Sequence, residues 1–214
     1  MGLFNRFLDA LYPQNIKCTV CGAELRGAQE LVCDRCRAAL MPCADAIAPE
    51  GTDGFRAGLL YTGAVVDAIH RFKYDDARYM ADFLAAYMQI PPEWNVDMLI
   101  PVPLHRAKRS ERGYNQSELL CRKLSERTGI RVCTDMLLRT RNTVSQTALS
   151  AQARCENLKD AFKLAMPCDG KRILLVDDVR TTGSTFTECA LTLKAAGAAA
   201  VYSMAACAAE IKEL

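Results

Sequence analysis

The stretch "ILLVDDVRTTGST", Ile173 to Thr185, decides the fold. Its first half is an apolar run of the length and composition of a strand buried on both faces. Two adjacent carboxylates, Asp177 and Asp178, end that run. A turn of small hydroxyl residues follows, and then "GSTFTECALTLKAAG", a helix ending at Gly197. Strand, small-residue turn and helix together form a phosphate-binding arrangement, because the helix N-terminus offers unpaired N–H groups and the positive end of its dipole. Thr181, Thr182, Ser184 and Thr185 add hydroxyl donors, and Gly183 lets the backbone come close. No Lys follows the glycine, so this is not a Walker A loop, and a GxGxxG dinucleotide fingerprint is missing.

Carboxylates repel phosphate, so Asp177 and Asp178 must face another part of the same ligand. They stand at the carboxyl end of the strand, where open α/β sheets bind ligands. Vicinal sugar hydroxyls suit them, each charge-assisted hydrogen bond contributing roughly 1.5–3 kcal/mol. A ribose 5-phosphate satisfies both halves. The plainer alternative is a capped helix beside two solvated aspartates.

Working outward, strands and helices alternate. "FRAGLLY" reads as a strand, Thr62-Gly63 as a turn, and the residues to Met88 as two amphipathic helices. "VDMLIPVP" is a buried strand, and "YNQSELLCRKLSERTG" is a helix stopped by Gly129. "IRVC" and "MLLRT" are short strands, "SAQARCENLKDAF" is a helix with Ser150 as its N-cap, and "AVYSMAACA" is the last strand. This order predicts an α/β domain with a mostly parallel sheet flanked by helices. Near the N-terminus, Leu3, Phe4, Phe7, Leu8 and Leu11 have helical spacing.

Between them, "CTVCGAELRGAQELVCDRC" carries two CxxC knuckles, Cys18 with Cys21 and Cys33 with Cys36. Four thiolates on two tight turns suit a tetrahedral, closed and therefore structural Zn²⁺ site. Cys43 is a spare ligand or an ordinary small hydrophobe. The turn-rich stretch 44–53 marks a boundary, giving an N-terminal helix and Cys₄ ribbon at 1–50 and the larger domain at 51–214.

The 214 residues carry a net charge of only +2, unevenly spread. Pro101 to Lys159 holds 12 Lys/Arg against 5 Asp/Glu, a local +7, which fits an anionic ligand. Eleven cysteines without a signal-peptide pattern point to a reducing, cytoplasmic setting. The longest apolar stretch, "AAGAAAVYSMAACAA", falls short of the roughly 18 residues a membrane span needs.

"ILLVDDVRTTGST" closely resembles the phosphoribosyl pyrophosphate (PRPP) motif of type I phosphoribosyltransferases. "IPVPLHRAKRSERGYNQSELL", "RTRNTVSQTALSAQARCENLKDAF" and "YTGAVVDAIHRFKYDD", behind a cysteine-rich ribbon, resemble the ComF family. The resemblance implies a type I phosphoribosyltransferase fold. It implies that Asp177 and Asp178 hold the ribose hydroxyls and act as the catalytic carboxylates, that Thr181, Thr182, Gly183, Ser184 and Thr185 hold the 5-phosphate, and that Mg²⁺ accompanies the pyrophosphate. The basic stretch with His105, Arg106, Lys108, Arg109 and Arg112 would take the pyrophosphate or DNA. Arg139, Arg141, Gln146 and Thr147 match the mobile loop that covers the substrate.

Two functions follow from that resemblance. One is a phosphoribosyltransferase, or a PRPP-binding protein, acting in DNA uptake with its partner proteins. The other is a non-catalytic single-stranded DNA module using the basic loops and the ribbon. Base stacking in the second needs aromatic side chains, for which Tyr74 and Tyr114 are the candidates.

Overall fold

The computed structural model describes residues 17–25, 30–43, 47–141, 158 and 160–210. The N-terminal helix, the Ser150 cap, and Gln146 and Thr147 lie outside the described residues. Helix α1 is Asp34–Ala39, followed by strand β1 (Gly54–Leu60), α2 (Ala64–Tyr74) and α3 (Met80–Ala86). Then come β2 (Met98–Pro101), α4 (Arg106–Arg112), α5 (Gln116–Thr128), β3 (Leu137–Arg139) and β4 (Phe162–Leu164). The last elements are β5 (Arg172–Arg180), α6 (Ser184–Ala195) and β6 (Ala200–Ala208).

Four strands form one parallel sheet in the order β1-β6-β5-β2. A further residue of the chain, Val132 in "IRVC", bridges Leu99 on the outer edge of β2. The stretch around Pro42 pairs antiparallel with the outer edge of β1. Apolar residues on both sheet faces bury two cores. One gathers α2, α3 and α5 with Leu174 and Val176 of β5. The other gathers α6, β3 and β4 with Ile173 and Leu175. The expected parallel sheet flanked by helices is therefore borne out.

The alternation of faces slips by one residue near the carboxyl ends of three strands. In β6, Ala206 and Cys207 both belong to the first core, although neighbours in a regular strand point apart. In β1, Ala57 packs on the second core and Leu59 lies in the first. In β5, Val179 joins Leu174 and Val176 on the first core. Gly58 fits this crowded level because a Cβ there would sit 2.8 Å from the Tyr87 carbonyl oxygen. The slip lets the end of β5 present consecutive residues to one cleft.

Two readings are corrected. The basic stretch after β2 is a helix, not a loop. The His105 side chain caps α4 by accepting from the Ala107 N–H, and Gly113 at φ 78° stops it. The helix expected through Phe162 ends earlier. Asp160 is left-handed, at φ 56°, and Phe162 opens β4, which pairs antiparallel with β3 to cover α6.

Candidate ligand cleft and cysteine cluster

Val102 to Leu104, which follow β2, and the end of β5 with the turn to Ser184 border a cleft of about 260 Å³ at the carboxyl end of the sheet. Each wall is fixed by local structure. Asn115 caps α5 by accepting from the Ser117 N–H, and its amide also donates to the Val102 carbonyl, at 3.0 Å. That pair of bonds ties the start of α5 to the loop after β2. Ser117, so placed, donates its hydroxyl to Asp177 at 2.8 Å. Across the cleft, Gly183 adopts φ 89° and starts α6. The Thr182 hydroxyl meets the Ser184 hydroxyl at 2.8 Å.

The two aspartates have different partners. Asp178 pairs with Lys73, at 3.1 Å, on the last turn of α2. Asp177 accepts from Ser117 and from the Asp178 N–H. Burial, with the neighbouring Asp178 charge second, pushes the Asp177 carboxyl up to about 7, against the pull of Lys73 and both hydrogen bonds. Lys73 is half-buried, and desolvation works against its charge, but the two aspartates hold its ammonium above the ordinary value. The acids thus form one coupled group with Lys73, and it gains from another cation or from hydroxyl donors.

The four basic residues singled out from the sequence part company. On α4, Lys108 and Arg112 are one helical turn apart and both line this cleft. Arg106 and Arg109 line a second, larger cleft on the other side of the helix, with His105, Ser110 and Leu138. Arg109 is paired with Glu118 at 3.0 Å. Arg139, at the end of β3, borders both clefts. Burial comes first, then the Arg139 and Arg112 charges, in holding the Lys108 ammonium below its usual value. Three cations from two elements therefore converge with mutual repulsion.

The aromatic candidates also separate. Tyr114 is core, 6 % exposed and donating to the Phe72 carbonyl. Tyr74 is 62 % exposed at the cleft, beside His70 and under the Arg112 guanidinium. Sequence reasoning did not find Lys73, Ser117 or Arg180. No local signal marks Lys73 or Ser117, because their aspartate partners come from a distant part of the chain, 60 positions away in the case of Ser117.

In the N-terminal part, the Sγ atoms of Cys18, Cys21, Cys33 and Cys36 all lie within 4.8 Å of one another. Cys21 Sγ and Cys33 Sγ are 3.7 Å apart. Zn–S bonds of about 2.3 Å in a tetrahedron require sulfurs about 3.8 Å apart, so the donor set fits such an ion. The Cys33 N–H donates to the Cys18 sulfur. Burial opposes the Cys18 thiolate, but backbone N–H bonds from Cys21, Cys33 and Val20 prevail and bring the thiol down to about 6. Gly22 supplies the left-handed turn of the first knuckle, at φ 74°. Arg71 of α2 donates to the carbonyls of Thr19 and Val20, 3.0 Å each, and clamps the knuckle to that helix. Cys18, Val32 and Cys36 pack into the first core. The four thiols form a cluster able to hold a metal such as zinc. Cys43 is not among them; it is half-buried beside β1.

No protein-family model matches the chain. DNA utilization protein YhgH of Escherichia coli K12 is 44 % identical over 111 residues, covering 52 % of this chain and 49 % of that protein. Competence protein F of Haemophilus influenzae is 41 % identical over 104 residues, 47 % of this chain and 45 % of that one. Competence protein ComFC of Bacillus subtilis is 29 % identical over 154 residues, 69 % and 61 %. The match thus spans about half the length of the first of these relatives. Among solved structures, the glutamine PRPP amidotransferase of Bacillus subtilis is similar over 64 % of this chain and 26 % of its own, with a TM-score of 0.40 and 20 % identity. The PRPP synthetase of Mycobacterium smegmatis has a TM-score of 0.37 at 17 % identity, over 62 % of this chain and 34 % of its own. The resemblance to the ComF family is borne out by the curated relatives, and the chain is a homologue of the competence proteins F and ComFC and of the DNA utilization protein YhgH.

Proposed function

We propose that the cleft binds PRPP or a related phosphosugar with Mg²⁺, and that the protein serves DNA uptake or utilization in the cytoplasm. One observation carries this reading: paired acids, a hydroxyl-rich helix N-terminus and the convergent cations Lys108, Arg112 and Arg139 surround one cleft. Sugar hydroxyls meet Asp177 and Asp178, the 5-phosphate meets Thr181 to Thr185, and the pyrophosphate meets the cations. Mg²⁺ supplies charge neutralisation on the pyrophosphate. As a phosphoribosyltransferase the protein positions the groups and stabilises charge: Lys108, Arg112 and Arg139 on the leaving group, the carboxylates near the positive ring. Arg141 belongs to the covering loop in this reading.

Titrating PRPP with Mg²⁺ into wild type and Asp177→Asn/Asp178→Asn tests it. Binding in wild type that is lost in the variant is expected. Absence of binding in both overturns the phosphosugar reading.

A second reading, single-stranded DNA binding, rests on the second cleft with Arg106 and Arg109 and on the names of the relatives. Phosphate contacts there give an affinity that falls steeply with salt. The Cys₄ cluster is proposed as a structural zinc site in an N-terminal helix and ribbon unit at 1–50, with the ligand domain at 51–214.

A further inference from the structure

One charged side chain at the cleft has no part in the reading above. Arg180 ends β5, two residues past Asp178 and one before Thr181. It is 3 % exposed, yet it lines the cleft. Its guanidinium lies 4.6 Å from the centroid of the Phe55 ring. Among the described residues, neither Nε nor Nη1 has a hydrogen-bond partner. Its surroundings are Phe55, the Cys43 thiol, and the turn at Gly183 with Pro49. Burial pulls its pKa down against the Cys43 contribution, but a guanidinium keeps its proton in proteins. A buried cation without a carboxylate partner among the described residues is a heavy burden on a fold, and an apolar residue at this position would pack without it.

Gly183 explains how that cation reaches the loop. A Cβ at position 183 would stand 3.4 Å from Arg180 Nε and 3.3 Å from Pro49 Cγ. With glycine there, Arg180 Nε packs directly against the turn that starts α6. Arg180 and the loop residues Thr181 to Thr185 line the same cleft.

We propose that Arg180 is a ligand-binding residue, and that the loop end of the cleft is a two-sided anion subsite selecting a phosphate monoester dianion. The inference rests on the phosphosugar reading and deepens it. The ligand's phosphate is the counter-ion that Arg180 lacks. The subsite discriminates against ribose without phosphate, and against the monoanion that prevails below the second phosphate pKa of about 6.

The test uses the full chain with Arg180→Met, which keeps length and the contact with Phe55, and Arg180→Gln. Thermal unfolding is measured without ligand, and ribose 5-phosphate, inorganic phosphate and ribose are titrated separately. We expect both variants to unfold at least about 2 °C higher than wild type without ligand. Ribose 5-phosphate should bind them about ten- to a hundredfold more weakly, as for a lost hydrogen bond to a charged group. Equal affinity for ribose 5-phosphate in wild type and variants overturns the role of Arg180 and leaves the phosphosugar reading standing. Ribose 5-phosphate and PRPP both failing to bind wild type overturns that reading and this inference with it. Loss of folding in both variants also overturns the inference, because the guanidinium would then be a requirement of the unliganded fold.

Discussion

Replacing Asp177 by asparagine should stabilise the unliganded protein, and the gain should grow with pH. The wild-type carboxyl is pushed up to about 7, first by burial and then by the Asp178 charge. In the unfolded chain an aspartate titrates near about 3.9. The native state therefore holds the proton more tightly. The resulting stabilisation is present below the unfolded value and is lost as pH rises through the folded one. Between about pH 5 and pH 8 the loss is at most roughly 2–3 kcal/mol. The substituted amide can still accept from the Ser117 hydroxyl and the Asp178 N–H through its Oδ1, the two bonds that Asp177 makes. It carries no charge for Asp178 to repel. Urea unfolding of both proteins at the two pH values reads the difference, in which titrating groups remote from the acidic pair and Lys73 cancel. A variant-to-wild-type difference that stays constant, or that favours wild type at the higher pH, refutes the raised Asp177 carboxyl.

Three further outcomes follow from the geometry. Lys108→Ala with Arg112→Ala should weaken PRPP binding at least about tenfold, while Arg106→Ala with Arg109→Ala leaves it unchanged; calorimetry of the two double variants checks which face of α4 meets the cleft. Gly58→Ala should cost about 1–3 kcal/mol in urea unfolding, because its Cβ would press on the Tyr87 carbonyl. Cys36→Ser should remove bound metal from the purified protein by elemental analysis, and a wild type without zinc would refute the metal reading of the cluster.

The strand-turn-helix of β5 and α6 was legible because its signals are local: an apolar run, a left-handed glycine and a helical period. The cysteine pairs were legible for the same reason, since spacing alone sets which sulfurs can meet. Helix α4 was hidden because "RAKRSER" has no apolar stripe. Its limits are set by a histidine cap and Gly113, and its helical period splits the four basic residues of 106–112 between two clefts. The β3–β4 pair was hidden because its partners are far apart in the chain and β4 is only three residues long. Lys73 read as one more charge on an amphipathic helix, and only the folded sheet brings it to Asp178. Arg180 stands inside the most recognisable motif of the chain, where the acids and the glycine hold the eye.

Helix α2 grips the cysteine knuckle through Arg71 and, half a turn on, grips the acidic pair through Lys73. A cation held at the knuckle and a ligand held at the acids would both pull on this one helix, and any effect of the first on the affinity of the second would be matched by an equal effect in return. The cysteine knuckle would then double as a control on the cleft.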